Sequence, residues 1–534
     1  MAASAKRVGS DETSLGADMH AIDPSPVVAS PWEKPIRLPV RRAGIDTYRQ
    51  PVLYLHRDCP VCRAEGFAAL TRVRISSAGR DAVAVLNVVT GDWLGPQEAA
   101  VSEAAWQALR PEPGALAEFA HADPAESSSL LRAKVYGARL GEREFAAVLR
   151  DALAARLSDI ELAAFVTACA GDRMDLDECT ALTRAMVAAG DRLDWGGGPV
   201  LDKHCVGGLP GNRTTPIVVA IVAALGYRIP KTSSRAITSP AGTADVMATM
   251  TSVDLDLGDL RRVVEREGGC LASGGKIRLS PADDVFIQVE RPLDIDSGGQ
   301  MVASILSKKA AAGSTHALID IPVGATAKIR TPAAADALAR RLALVGEAVG
   351  LRVGIHLSDG RQPVGWGIGP ALEAQDVLAV LRGLPQAPRD LRERALDIAG
   401  AVLELLPQSR PGRGREAAAL ALESGAALEK FVAICEAQGG FREPGRAQFT
   451  QAFVAPTAGR IACINNRLLA RVAKLAGAPN DPTAGVVCAL REGDRVDAGD
   501  PLFIVHAEAR GELAYALNYA AGHADILSIR GEPA

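Results

Sequence analysis

The chain has 534 residues, and at about 150 residues per domain that length holds roughly three or four domains and ample core. Hydrophobic residues make up 48% and charged residues 23%, and 59 Lys and Arg against 63 Asp and Glu leave a net charge of -4, a balance that argues against a nucleic-acid or membrane-surface binder. No apolar run reaches the roughly 18 residues of a membrane span. Residues 1–35 lack the apolar centre of a signal peptide, so the expected location is the cytoplasm. The nine cysteines are odd in number and scattered, which reads as reduced thiols.

In chain order, residues 1–35 are rich in Ser, Asp, Pro and Ala and read as a disordered tail. Residues 36–123 carry short alternating runs. Arg72 and Arg74 alternate with Val73 and Ile75, and a second run follows after Ser-Ala-Gly-Arg-Asp, a hairpin signal. This is the small N-terminal β-rich domain. Residues 124–194 turn helical: Phe145, Val148, Leu149, Ala152 and Leu153 keep the 3.6 period, and Ser158 with Glu161 has capping-box spacing. Residues 195–445 alternate β-like runs at 199–205, 228–232, 316–323 and 351–357 with helices at 216–225, 300–312 and 332–349. That pattern predicts a mostly parallel sheet covered on both faces. Residues 446–534 return to short β runs and read as a C-terminal α+β domain. The expected fold class is therefore α/β, with these flanking domains.

Three segments carry chemistry. Residues 201–215, LDKHCVGGLPGNRTT, run from a strand through Gly207, Gly208 and Gly211 into a helix that Thr215 would cap, with Pro216 first inside it. The plain reading is a tight turn. Lys203 and His204 beside it favour an anion site built from glycine backbone, helix-start N–H groups and the hydroxyls of Thr214 and Thr215. A Walker loop is absent. The second segment, residues 232–245, TSSRAITSPAGTAD, crowds hydroxyls around Arg235. It reads as a solvated turn by itself and as a ligand loop at a strand's C-terminal end. In the third, residues 288–309, Arg291, Asp294 and Asp296 precede a helix on which Ser304 and Lys308 share a face. Asp296 alone would be a cap.

Together with Ser280-Pro-Ala-Asp283 and the run GQMVASILSKKAAAGSTHALIDIPVG, these segments resemble the thymidine phosphorylase/AMP phosphorylase family, in its long-chain branch of archaeal AMP phosphorylases and bacterial type 2 thymidine phosphorylases. The resemblance spans roughly residues 38–521. It implies phosphorolysis: phosphate displaces a base from C1′ of a ribosyl group, which calls for an anion cradle and a donor for the departing base. It also implies roles. Lys203 falls on the phosphate position. Gly208, the run Ser234, Arg235, Ala236, Ile237, Thr238 and Ser239, and Thr243 contact the nucleotide. Asp296 is the proton donor, and Ser304 and Lys328 are base-site and substrate contacts. Arg291, Ser304 and Lys308 match residues that grip a pyrimidine, and His204 either hydrogen-bonds the base or caps its strand. The C-terminal runs resemble a lipoyl-like barrel, whose only Lys, Lys474, lies in a helix-like stretch.

Two departures stand out. Ordinary thymidine phosphorylases read Asp-Lys-His-Ser-Thr-Gly-Gly where Cys205 and Val206 stand here, which removes a phosphate-binding hydroxyl. Their Ser-Gly-Arg-Gly loop is here Ser-Ser-Arg-Ala-Ile-Thr-Ser, whose extra hydroxyls would suit a 5′-phosphate. The leading expectation is a thymidine phosphorylase, thymidine plus phosphate giving thymine and 2-deoxyribose 1-phosphate. A nucleoside 5′-monophosphate phosphorylase is the alternative, then an anthranilate-type phosphoribosyltransferase or a non-catalytic nucleotide-binding protein. The expected partners are a nucleoside or nucleotide and phosphate as co-substrate, without cofactor or metal, in a homodimer or higher homo-oligomer. His56, Cys59 and Cys62 fall short of the four ligands of a structural zinc site, and the cysteines read as a buried pair.

Overall fold

The computed structural model describes residues 36–47, 50–236, 239–274, 277–293 and 298–531; the expected tail at 1–35 lies outside them. The chain forms two compact units that part after Asp123.

In the first unit six strands close into a barrel in the order β1-β5-β2-β4-β3-β6: β1 Arg37–Arg42, β2 Val52–His56, β3 Arg72–Ser77, β4 Arg80–Val89, β5 Ala99–Val101 and β6 Leu116–His121. The β3/β4 hairpin is antiparallel, and Ser77 pairs with Arg80 across the two-residue turn Ala78-Gly79. Both turn residues have positive φ, +50° and +75°, the backbone that matches the twist of the flanking strands. Leu53, Leu55, Val73, Ile75 and Leu86 fill the interior. Cys59 and Cys62 are buried at the short helix Pro60–Glu65. The Cys62 thiol hydrogen-bonds Cys59 and draws it down to about 6, while Cys59 and burial push Cys62 up. Among the described residues no three His, Cys, Asp or Glu side chains gather as a metal site.

The second unit is built on a parallel sheet: β7 Leu201–Cys205, β8 Ile229–Ser233, β9 Gly269–Ser273, β10 His316–Val323 and β11 Arg352–Asp359. β10 pairs with β7 and β11, β8 pairs with β9, and a parallel bridge Val200–Arg228 joins the two sets. The order is β11-β10-β7-β8-β9, so β7 leads on to β8 on one side while its neighbour β10 leads on to β11 on the other. The topological switch point, where open α/β sheets bind ligands, lies between the C-terminal ends of β7 and β10.

Helices cover both faces. On one, Ile217 to Val222 pack with Val377, Leu396, Val402 and Phe431 from the helices Pro370–Leu381, Arg389–Leu403 and Ala426–Ala437. On the other, the helices Glu142–Leu153, Asp159–Cys169 and Leu176–Ala188 share a core with the helices Pro281–Leu293 and Gly298–Ala311, around Phe145, Phe165 and Phe286. Alternation along β10 serves both: Leu318 joins the first core, Ala317 and Ile319 the second. Ser158 and Glu161 do form a capping box. The helix after the glycine loop differs from expectation. It runs Thr214–Ala224 with Arg213 at the N-cap, so Thr215 and Pro216 lie inside the first turn. The Thr215 hydroxyl is not a cap because it faces Lys203 instead.

The C-terminal part, with strands Phe449–Val454, Gly459–Ile464, Gly485–Val487 and Pro501–Ala507 and helices Asn466–Leu475 and Arg510–Ala521, has its own core around Ile464, Leu469, Val472 and Val505. Lys474 lies within the first of these helices. Buried Asn466 ties this part to the sheet: its amide donates to Thr326 Oγ1 at 3.0 Å, the Gly360 carbonyl at 3.0 Å and the Arg361 carbonyl at 3.2 Å. Those residues belong to the loops leaving β10 and β11. No helix among the described residues is long and apolar enough to cross a membrane.

Candidate active site

The site grows from the end of β7. Lys203 is fully buried, and its ammonium donates to Thr214 Oγ1 at 2.8 Å and Thr215 Oγ1 at 3.3 Å. Burial lowers its pKa, opposed by Cys205 and Asp320. A buried ammonium whose protein partners are neutral hydroxyls is poised for an anion. Gly207 and Gly208 follow with φ of +94° and +80°. A Cβ on Gly208 would stand 2.5 Å from the Lys328 backbone nitrogen, so only glycine lets these two loops touch. Asp320 fixes the outer turn: it accepts from Ser358 Oγ at 2.5 Å and from Asn212 Nδ2 at 3.4 Å. Burial pushes the Cys205 thiol up to about 12, which leaves it unsuited as a nucleophile.

Beneath the loop lies a charge cluster. Asp202 is fully buried and meets Lys309 Nζ at 2.8 Å and Lys231 Nζ at 3.7 Å. Lys231, also buried, donates to the Thr232 carbonyl at 2.6 Å; burial and then Lys309 push it well below the usual lysine range. Burial, followed by the cations of Lys309, Lys231, Lys308 and Lys203, holds the His204 imidazole well below its usual value. His204 is therefore neutral at pH 7, with one ring N–H to donate.

Several donors of the hydroxyl-rich segment meet protein acceptors. Asp245 Oδ2 accepts the backbone N–H of Ala236 at 2.6 Å and of Gly242 at 2.9 Å. The Arg235 guanidinium, half exposed, pairs with Asp245 at 3.4 Å and Asp254 at 3.2 Å. Ser239 Oγ donates to the Ala241 carbonyl, and Ser234 is exposed. Ile237 and Thr238 lie outside the described residues. Thr243 opens the next helix, and its hydroxyl accepts from Arg213 Nη1 at 2.7 Å.

On the helix Gly298–Ala311 the Lys308 ammonium sits 2.5 Å from Asp283 Oδ2 and donates to Ser304 Oγ at 3.3 Å. Ser280 and Ser307 hydroxyls meet at 3.1 Å below them. Asp294 and Asp296 lie outside the described residues, as does the side chain of Arg291. The structure thus gathers Lys203, Thr214 and Thr215, sets Gly208 against Lys328, pairs Lys308 with Ser304 and links Thr243 to the glycine-loop segment. Ala236 is engaged within its own loop, and Arg235 by Asp245 and by Asp254 beyond it. Sequence reasoning missed Asp202, Lys231, Lys309, Asp320 and Ser358, and gave Asp283 no role. The one available signal was charge inside apolar strands, at Asp202, Lys231 and Asp320.

Family models match residues 128–190 (Glycosyl transferase family, helical bundle domain), 197–428 (Glycosyl transferase family, a/b domain) and 461–526 (Pyrimidine nucleoside phosphorylase C-terminal domain). The chain is 58% identical to the protein named "Putative thymidine phosphorylase 2" of Acidovorax sp. (strain JS42), over 92% of this chain and 96% of that one. Proteins named "Putative thymidine phosphorylase" from Polaromonas sp. and Hahella chejuensis are 58% and 54% identical, over 93% and 92% of this chain and 97% and 98% of theirs. A solved structure, anthranilate phosphoribosyltransferase from Thermus thermophilus, is similar at 20% identity with a TM-score of 0.48, covering 58% of this chain and 98% of its own. With three family domains in order and relatives matched almost end to end, the chain is a glycosyltransferase that belongs to the thymidine phosphorylase/AMP phosphorylase family, in its long type 2 branch.

Proposed function

We propose that the chain is a pyrimidine nucleoside phosphorylase acting on thymidine, thymidine and phosphate giving thymine and 2-deoxyribose 1-phosphate. The observation that carries this is the fully buried Lys203 ammonium, held by Thr214 and Thr215 under the glycine loop at the sheet's switch point. In this reading a phosphate oxygen attacks C1′, the C1′–N bond breaks, and its electron pair leaves with the base. Lys203, the Thr214 and Thr215 hydroxyls and the start of the helix Thr214–Ala224 balance the phosphate charge. The thymine anion carries charge on its oxygens. Lys308, steadied by Asp283 and Ser304, and neutral His204 would answer it before a proton is gained. Arg291, Asp296 and Lys328 enter as proposed contacts on family likeness alone.

A nucleoside is favoured over a 5′-monophosphate because the Ala236 and Gly242 N–H groups, the Arg235 guanidinium and the Ser239 hydroxyl already meet protein acceptors. The test is phosphorolysis of thymidine, uridine, AMP and CMP side by side. Thymidine cleavage without AMP cleavage is expected. AMP cleavage with thymidine inert would overturn the substrate, and inertness toward all four would overturn the reaction.

A further inference from the structure

Arg213 is the N-cap residue of the helix that carries Thr214 and Thr215, yet its side chain caps nothing. It turns toward the other anion-loop candidate instead. Nε donates to Glu373 Oε2 at 2.7 Å, Nη1 to Thr243 Oγ1 at 2.7 Å and Nη2 to the Ala241 carbonyl at 3.0 Å. Glu373, only 1% exposed, is itself fixed, since its Oε1 accepts the Gly369 N–H at 3.2 Å. One planar fork therefore joins the glycine-loop segment, the 239–243 turn and the helix Pro370–Leu381. A lysine, whose three donors radiate from one nitrogen, lacks the spread of this fork.

The donor count gives this fork a consequence beyond rigidity. A guanidinium has five N–H donors and no acceptor, and a threonine hydroxyl has one proton and two lone pairs. Thr243 must therefore accept from Arg213, and its proton is left to point elsewhere. Lys203 imposes the same choice on Thr214 and Thr215, because an ammonium also only donates. Two cations, Lys203 fully buried and Arg213 mostly so, thus turn three hydroxyls, from two segments tied together by Arg213, into committed donors. A cluster of committed donors matches a ligand made of acceptors, and phosphate is such a ligand.

We propose that Arg213 is a positioning residue for the phosphate co-substrate: it anchors the 239–243 turn to Glu373 and sets the Thr243 hydroxyl as a donor to phosphate. This rests on the phosphorolytic reading above. The test measures KM for phosphate and kcat in the full-length protein for wild type, Thr243→Val, the paired change Arg213→Met with Glu373→Gln, and all three substitutions together. The paired change avoids stranding the buried Glu373 charge, and Arg213→Lys, which keeps one ion pair and loses the fork, is a second probe that leaves Glu373 intact.

Loss of one hydrogen bond to a charged ligand corresponds to about a tenfold rise in KM for phosphate. That rise is expected for Thr243→Val, for the paired change and for Arg213→Lys, with kcat much less affected. Adding the paired change to Thr243→Val should raise KM little further. Equal rises from the paired change with and without Thr243→Val would overturn the proposal, and so would an unchanged KM in Arg213→Lys or in Thr243→Val. A wild-type protein inert toward every nucleoside and nucleotide would instead defeat the phosphorolytic reading, which separates the two failures.

Discussion

Lys203→Met keeps the apolar stem of a fully buried side chain and removes its ammonium. Lys203→Ala would also empty the stem's space, at about 0.8 kcal/mol per methylene, and so confuse folding with chemistry. For stability, two hydrogen bonds to Thr214 and Thr215 are lost, about 1 kcal/mol each. Against that, relieving the desolvation of a buried cation returns several kcal/mol per ion. The ligand-free variant should therefore melt within a few degrees of wild type or above it. For catalysis, one preorganised donor aimed at developing charge corresponds to about 2.7–4 kcal/mol, a fall of roughly 10²–10³ in kcat. Phosphate at about 100 times its Kd protects wild type by about 2.7 kcal/mol, and this protection should vanish in the variant. Base release at saturating phosphate and a melting curve with and without phosphate read both effects. Turnover within about threefold of wild type would refute the placing of phosphate on Lys203.

Other expectations follow from the same cluster. Asp202→Asn removes the carboxylate between Lys309 and Lys231 and should destabilise the protein by about 3–5 kcal/mol in urea unfolding, with Lys309→Met partly restoring stability in the double variant. His204 titrates lower folded than unfolded, so below about pH 6.5 the unfolded chain takes the proton first and stability falls as pH drops, by up to about 1.4 kcal/mol per unit. Melting curves across pH 5 to 7 should show a shallower slope in His204→Gln, in which this group no longer titrates. Gly208→Ala drives a Cβ into the Lys328 backbone and should lose most activity, as base release would show. Phosphorolysis should survive exhaustive chelation; loss restored by zinc or magnesium would contradict a metal-free cradle.

The parallel sheet was legible because β-like runs alternated with long amphipathic helices, and β10 fell on residues 316–323 as its pattern indicates. The strand order was not, because register and crossover direction are tertiary. The glycine loop announced itself through a strand, three glycines and a helix in one stretch. Thr215 was misread as a cap because its competing partner, Lys203, lies twelve residues upstream. Lys231 and Lys309 escaped notice since one is a lone charge in a short strand and the other reads as the neighbour of Lys308 at a helix end, and their meeting point, Asp202, is brought to them only by tertiary packing. Asp283 was visible within a motif, but its hold on Lys308 depends on two helices crossing.

The Asn466 junction bears on how the molecule is made. A nascent chain released from the ribosome through about residue 445 already holds all five sheet strands, the glycine loop and every helix that covers them. It still lacks the amide that ties Thr326 to Gly360 and Arg361. The loop running from β10 to Lys328 therefore receives its last clamp only when the C-terminal part has emerged and folded. Synthesis arrested before that point would leave an assembled sheet whose two loops keep their own backbone bonds, Gly360 N–H to the Val323 carbonyl at 2.9 Å and Gly324 N–H to the Ile329 carbonyl at 3.1 Å, but lack the Asn466 amide between them.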